Sequence, residues 1–501
     1  MRRPPIGRDL VVRLGSALLL TVLGFGSAAA AADRSNEGEI AASAGELRYH
    51  ARAIAFRHGP NEARAEFVLR VPYAEMKFLP QDSLYSARLR VTAEMWNPSG
   101  KRVGFQQREA QVMVADPAVG LDSLLGEIYT LGVAVPQGKY KYRVVVEDMN
   151  VARQGLIYKM KNQKRQGKVE GEIDMGRWLF QSPALSGLEL AWTIAPRGEN
   201  TAFGKGPYEV YPQPSGYFGL FKDEISVYYE IYDRPVPAEG RAYRLQTSVL
   251  AADGDTVFAT VDSLRMQEGS AWPHALSIDA SAIPAGHYRL RLTLSRAGES
   301  AIATSQTEFD VLWSAQSWRP GAADFYEVEA TTLLSAEQAV DFRMLSMGEK
   351  EVRMEKAWRE TDPSPETAEN ESHVEFLRRV EVANARFSIF GPGMLSDRGR
   401  VYIRYGEPDE TKVERLPVAD KTLGYALGDQ IPKASRDALT KIDQGAPDYR
   451  PYEIWTYNLR GKELGAHYGM SEINSGMKFV FVDDHGYGEY TLRYSSTSGM
   501  H

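Results

Sequence analysis

The chain has 501 residues, 43% of them hydrophobic and 25% charged, with a formal net charge of −7 and no cysteine. At roughly 150 residues per domain, this length predicts about three globular cores. The acidic balance argues against nucleic acid as a partner, and the lack of cysteine excludes disulfides, a thiol nucleophile, thiolate metal sites and a lipid-modified N-terminal cysteine.

The first residues, "MRRPPIGRDLVVR", carry four arginines against one aspartate and are followed by the apolar "LGSALLLTVLGFG" and the small-residue stretch "SAAAAAD". This order predicts a secretory signal peptide over residues 1–32. The apolar run falls short of the about 20 residues that span a bilayer, and no later segment comes closer, so no transmembrane segment is expected. We therefore expect an exported protein, periplasmic or extracellular, that is not a lipoprotein. Loss of four arginines and one aspartate with the leader moves the formal charge from −7 to −10.

From residue 33 the pattern is β. "AVPQGKYKYRVVV" at 134–146 aligns without a gap with "AIPAGHYRLRLTL" at 282–294. In each copy Pro and Gly set a turn, and Tyr140, Tyr142 and Val144, or Tyr288, Leu290 and Leu292, place one face of a strand on a core. Two copies 148 residues apart imply two related modules. Around them lie "ARAEFVLRVPY", "ARLRVTAEMW" and "KRVGFQQREAQVMV", then "EISVYYEIYD", "YRLQTSVLAADGDTVFATV" and "ATSQTEFDVLW", with an Asp-Gly hairpin signal in "ADGD". Short strands with regular turns predict two immunoglobulin-like β-sandwich modules, 33–182 and 183–316. The basic run "KMKNQKRQGK" at 159–168 reads as a solvated hairpin tip rather than an anion site. The tyrosine-rich alternation reads as core and cross-strand packing rather than a sugar platform.

Residues 317–501 read as a helical connector plus an α+β domain, in a chain that is mostly β. "SAEQAVDFRMLSMGEKEVRMEKAWRE" places Ala336, Val340, Met344 and Met347 at helical spacing, with Ser335 and Gln338 forming a capping box. Met344, Met347 and Met354 are read as gap-fillers of a helix face rather than ligands. An acidic, proline-containing turn at 358–371 leads into "SHVEFLRRVEVANARF", where Phe376, Val380, Ala383 and Phe387 share a face and Thr367 or Asn370 caps. "DRGRVYIRYGEPDE" at 397–410 alternates Val401, Ile403 and Tyr405 against Tyr402 and Arg404, and so predicts a half-buried strand, with Asp397 closing an Asx turn, Gly399 at positive φ and Pro408 as its stop.

The C-terminal third resembles the GWxTD domain of exported bacterial proteins over roughly residues 320–495. Trp358, Asp362, Pro363, Pro365, Thr367, Asn370 and Glu371 match its Trp and Asp-Pro-x-Pro-x-Thr-x-x-Asn-Glu turn, and Arg379, Val380, Ala383 and Asn384 match its next helix. Gly393, the run Asp397 to Ile403, and Gly406, Pro408 and Asp409 follow its motif, as do the Tyr-x-x-Trp-x-Tyr strand and the Phe-Val-Phe-x-Asp hairpin. Met394 and Ser396 stand where the family has its name-giving Trp and Thr. The resemblance implies architecture and export; it supplies no reaction.

The candidate functional surface is Trp358, Asp362, Asn370, Glu371, Asp397, Arg398, Arg400, Tyr402, Arg404 and Asp409. Carboxylates there suit acid-base work and arginines an anionic group, but arginines beside carboxylates lower the acids' pKa, which suits an ion-pair network better. Asp362, Glu366, Glu369 and Glu371 do not follow the calcium-loop pattern, and Asp483, Asp484 and His485 are types a hairpin turn prefers, so no metal or other cofactor is expected. No His-Glu-x-x-His, Gly-x-Ser-x-Gly or phosphate loop occurs. These observations predict a binding or assembly protein with an envelope protein or polysaccharide as partner. The alternatives are a hydrolase with a cleft where the acidic turn, Asp397 and Arg400 converge, and carbohydrate binding by exposed tyrosines and tryptophans. Oligomeric state is open.

Overall fold

The computed structural model describes residues 37–497 apart from 39–40, 117, 119–124, 151–164, 200–201, 237–239, 268, 297–300, 320, 419–420, 428–434, 436–438, 440–447, 459–461, 465–470 and 473–475. The predicted leader and residues 159–164 of the basic run lie outside the described residues.

Seven long strands build the first sandwich: β1 His50–Arg57, β2 Glu62–Pro72, β3 Leu84–Trp96, β4 Arg102–Val114, β5 Gly126–Pro136, β6 Gly138–Asp148 and β7 Gln166–Met175. They pair antiparallel as β1-β2-β5 in one sheet and β7-β6-β3-β4 in the other. Alternation creates the core: β3 buries Ala87, Leu89, Val91, Ala93 and Met95, and these face Phe67, Leu69, Val71 and Leu131 of the opposite sheet. Each large aliphatic or aromatic side chain removed from water here contributes about 1.5–3 kcal/mol.

The second sandwich comprises β8 Glu189–Pro196, β9 Tyr208–Pro212, β10 Glu224–Val236, β11 Arg241–Ala251, β12 Thr256–Met266, β13 Gly269–Asp279, β14 Gly286–Ser295 and β15 Ala303–Leu312. Its sheets, β9-β8-β10-β13 and β15-β14-β11-β12, reproduce the neighbour relations of the first and add β9. The sequence repeat marks the same corner in both. The Tyr140 hydroxyl donates to the Pro136 carbonyl at 2.7 Å, and that of Tyr288 to Pro284 at 2.9 Å. Such a bond across a strand corner is a known device of immunoglobulin-like sandwiches. A Cβ on Gly138 or Gly286 would sit 3.3 Å from the side chain of the tyrosine two residues on, a close approach at the corner. The Asp-Gly signal at 253–254 does form the β11–β12 hairpin.

The sandwiches are bonded to each other. Ile54, Phe56 and Val68 of the first pack on Ala191, Val210 and Tyr228 of the second. Buried Arg52 crosses the junction, donating to the Pro214 carbonyl (3.0 Å), Thr307 Oγ1 (2.8 Å) and the Glu308 carbonyl (2.7 Å).

Helices α1 Ala322–Leu333, α2 Ala336–Arg343, α3 Met347–Glu360, α4 Glu371–Phe387 and α5 Asp397–Tyr405 follow, then β16 Glu410–Glu414, β17 Tyr452–Tyr457, β18 Met477–Val482 and β19 Thr491–Ser495. The strands form an antiparallel sheet in chain order, and Phe376, Phe387, Tyr402 and Tyr405 from the helices pack on Trp455, Phe479 and Phe481. The architecture is mostly β: two β-sandwiches, a helical connector and a C-terminal α+β layer. Buried Glu351 of α3 fixes the connector to the second sandwich by accepting the backbone N–H groups of Trp313 and Ser314, each at 2.9 Å.

Two sequence expectations are corrected. The helix expected to run on from Ser335 is broken at residues 344–346, because Ser346 and Glu349 form a second capping box of the same spacing as Ser335 and Gln338. The stripe of Val340 and Met344 consequently faces solvent, at 59% and 87% exposure, while Ala339 and Phe342 face inward. The segment expected as a strand is helix α5. Ser396 caps it by accepting the Gly399 N–H at 3.0 Å, and Arg398, Val401, Tyr402 and Tyr405 form the buried i, i+3, i+4, i+7 face. Gly399 is helical rather than at positive φ; it is glycine because a Cβ would stand 1.9 Å from the Gly393 carbonyl oxygen. Positive φ occurs at Gly406, which ends the helix.

Candidate functional site

The motif residues divide between the two ends of α4. At its start, Asn370 is the N-cap, accepting the His373 N–H at 2.9 Å and donating to the Trp358 carbonyl, so one side chain ties the end of α3 to the start of α4. Trp358 is buried: its indole N–H donates to Glu329 Oε1 at 2.9 Å and its ring stacks on His373 at 4.5 Å. Asp362 closes an Asx turn with the Ser364 N–H (3.0 Å), and Glu371 accepts from Thr367 Oγ1 (3.3 Å) in the first helical turn.

The other group lies around α5. Asp397 Oδ2 accepts the Leu492 N–H at 2.8 Å. Buried Arg398 bonds Glu453 Oε1 (2.9 Å) and the Gly488 carbonyl (3.2 Å) between the rings of Phe387 and Tyr490. Glu453 in turn accepts the Trp455 indole N–H at 3.1 Å. Arg404 pairs with Glu463 at 2.9 Å, and Asp409 Oδ2 takes the Asn458 N–H at 2.6 Å. Tyr402, 3% exposed, is in the core, and its hydroxyl pKa is raised chiefly by burial. Arg400 points to solvent.

Arg379 of α4 holds the two helices together. Its Nη1 donates to the Ile403 and Arg404 carbonyls, both at 3.0 Å, satisfying the C-terminal end of α5, while its Nε pairs with Glu375 at 2.7 Å. Glu375 also bonds Arg378, and these two guanidinium groups, Arg378 foremost, hold its carboxyl down at about 2.

The structure therefore does not bring the acidic turn to Asp397 and Arg400. Met394, next to the α5 cap, bonds Asn384, fourteen residues along α4 from Asn370; at 1.5 Å per residue this separates the groups by about 20 Å. Trp358, Arg398 and Tyr402 are buried and form no surface. In the 483–486 turn, both oxygens of Asp483 are used on backbone N–H groups of residues 485–488, and Asp484 pairs with Arg450 and Arg493. Among the described residues no three His, Asp or Glu side chains converge as a metal site.

Sequence reasoning missed Glu329 and Glu453 as the partners of Trp358 and Arg398. The signal for Glu453 was a lone acid inside the apolar strand "YEIWTY". What the motif loop does expose is apolar. Phe390 is 71% exposed, and its neighbour Ile389 packs against Gly488 of the 483–488 turn, whose Tyr487 is 73% exposed.

Two immunoglobulin-like sandwiches followed by a connector and an α+β layer define a multidomain chain. Its C-terminal region contains a GWxTD domain: residues 326–418 match the family model of that description. No curated protein matches the chain. Among solved structures it is similar to a Bacteroides uniformis beta-glucuronidase at 11% identity, over 50% of this chain and 26% of that one, with a TM-score of 0.19. A putative beta-galactosidase from Bacteroides fragilis (12%, 50% and 32%, TM-score 0.18) and Bifidobacterium dentium beta-glucuronidase (10%, 50% and 40%, TM-score 0.17) are further examples. The similarity spans about a quarter to two fifths of those chains, and at these TM-scores it carries no argument.

Proposed function

We propose that the protein is an exported binding or assembly protein of the cell envelope or exterior, in which sandwich modules at 33–182 and 183–316 present the GWxTD-containing region, 317–501, to an envelope protein or polysaccharide. One observation carries this reading. The charged motif side chains of Asp397, Arg398, Arg404 and Asp409 are engaged by partners within the protein, whereas the α4–α5 loop offers Phe390 and Ile389, and the 483–488 turn offers Tyr487, to the outside. Asp397 and Asp409 each have an oxygen committed to a backbone N–H, and the acidic turn lies at the other end of α4, which weighs against the hydrolase alternative. Export rests on the character of residues 1–32, and sequencing the N-terminus of the protein recovered outside the cytoplasm tests it: a start near Asp33 is expected.

The test of the binding reading places a photoreactive residue at Phe390 in the source cell and identifies what is captured by mass spectrometry. A single recurrent envelope protein or polymer is expected. Empty capture from correctly exported protein overturns the reading and returns attention to turnover. There Asp397→Ala discriminates, because a catalytic acid would be lost with little change in stability, whereas Asp397 as seen here, at the start of α5 rather than in the expected Asx turn and accepting the Leu492 N–H, takes stability with it.

A further inference from the structure

In the second sandwich the sheet β15-β14-β11-β12 ends on β12, whose only partner among the described strands is β11. An edge strand turns the N–H and C=O groups of alternate residues away from its neighbour, so this edge, 11 residues long, is a template for a further strand. Such edges are ordinarily guarded by proline, lysine or short length, and β12 has none of these. On its core side Phe258 and Leu264 pack on the second sandwich, while on its outer side Val257 and Val261 are 42% and 51% exposed. The corresponding edge of the first sandwich, β4, is guarded: it carries Arg102, Arg108 and Glu109, and its Gln106 accepts the Gly132 N–H of β5 in the opposite sheet.

The order of residues along β12 selects its partner. Laid antiparallel on a second copy about a two-fold axis through Val261, every residue of the strand is paired, because 261 is the midpoint of 256–266. Residues directly opposite each other share a face of the sheet. On the outer face Val261 then meets Val261 of the second copy, Ala259 meets Ser263 and Val257 meets Arg265. On the core side Phe258 meets Leu264, Thr256 meets Met266, and the Thr260 hydroxyl can donate to the Asp262 carboxylate. No like charges oppose each other. An axis at 262 would set Asp262 against itself, and an axis at 260 would set it against Phe258, so the charge on this strand fixes the same register as its length.

We propose that the protein forms a two-fold symmetric dimer in which β12 pairs antiparallel with β12 of a second copy about Val261, joining the β15-β14-β11-β12 sheets of the two copies into one continuous sheet. The backbone groups of the edge supply the bonds, and Val257, Val261 and Phe258 supply the apolar surface that pairing covers. The edge shares no residue with the loop around Phe390, and failure of the capture experiment there leaves it untouched.

The chain has no cysteine, so a single introduced thiol reports a single position. In the full mature chain, Val261→Cys should pass to a disulfide dimer under mild oxidation, because opposite Cα atoms about 4.5–5.5 Å apart lie within the span of a disulfide. Val257→Cys is the control of similar exposure: its copy stands opposite Arg265, about 27 Å away along the strand, and it should not crosslink. Sedimentation of the cysteine-free chain should show a dimer at about 100 μM, and Val261→Lys, which sets like charges on the axis and leaves the core side alone, should weaken it roughly tenfold or more. A monomer at that concentration overturns the proposal. So does a dimer that Val261→Lys leaves unchanged, or a Val257→Cys chain that crosslinks as readily as Val261→Cys.

Discussion

The family motif around α5 and the junction between the sandwiches are built from the same materials, arginine or lysine buried against glutamate and aspartate beside aromatic rings. They differ in what the buried carboxylates receive. In the motif, Asp397, Asp409, Glu375 and Glu453 each receive N–H donors, and Arg379 and Arg398 direct theirs to carboxylates and carbonyls, with Arg398 Nε left without a partner. At the junction, Glu66 and Glu189 share the Lys205 ammonium, and Glu189 Oε1 is left without a donor. The difference teaches that density of charged family residues is a poor guide to chemistry: carboxylates bonded to backbone and guanidinium donors hold a fold.

Removing a donor from each region breaks the comparison most directly. Arg379→Met leaves Glu375 to Arg378 alone and uncaps the last carbonyls of α5, and we expect a loss of about 3–5 kcal/mol in urea denaturation. Lys205→Met leaves two neighbouring carboxylates, but Arg64 still pairs with Glu66 and Glu189 can take up a proton, so the expected loss is smaller, about 2–3 kcal/mol. Adding Glu66→Gln and Glu189→Gln to Lys205→Met should recover most of it. Equal losses at the two sites would erase the distinction between them.

How much of this was legible follows from distance along the chain. The Tyr140 and Tyr288 corners, the Asn370 cap and the Phe376–Phe387 face were readable because each is settled within a few residues. Helix α5 was not, since 401, 403 and 405 fit a strand while 398, 401, 402 and 405 fit a helix, and only the Ser396 cap and the Gly393–Gly399 contact decide. The break in the connector was readable and overlooked: Ser346 and Glu349 repeat the spacing of Ser335 and Gln338. The junction leaves no local trace, because Lys205 meets Glu66 across 139 residues and only strand register brings them together. The resemblance pointed to residues that the fold needs, and it said nothing of those that meet at the junction.

Two histidines sharpen the comparison through pH. His50, half-buried beside Tyr217, is lowered to about 4 by burial, then by Arg70 and Arg52. Its neutral form contributes stability above about 6.5, the unfolded value, which is lost as pH falls toward 4. His287 is raised to about 10 by its bond to Asp310 at 2.8 Å and by Glu308. Its contribution is full below about 6.5 and is lost as pH rises toward 10. Stability should therefore fall on both sides of pH 6.5. His50→Gln should flatten the acid limb by on the order of 2 kcal/mol, allowing for partial exposure of the ring, and His287→Gln the alkaline limb. Limbs that survive both substitutions would assign them to other groups.

The smallest expected effect concerns the departure from the family motif. Ser396 accepts the Gly399 N–H at 3.0 Å and donates to the Gly393 carbonyl at 2.7 Å, so its hydroxyl closes the entry to α5 from both directions. Threonine offers the same hydroxyl. Ser396→Thr should then change stability by no more than a few tenths of a kcal/mol, and Ser396→Ala should cost about 1 kcal/mol, read from the same denaturation curves. Met394 sits in the core beside this cap, where the family tryptophan would stand, and its backbone N–H bonds Asn384 at 2.9 Å whatever the side chain. If Ser396→Ala costs nothing, the cap does not hold α5, and its helical form must come from Arg379 at the other end; if Ser396→Thr costs as much as alanine, the loop has been rebuilt around serine and methionine together.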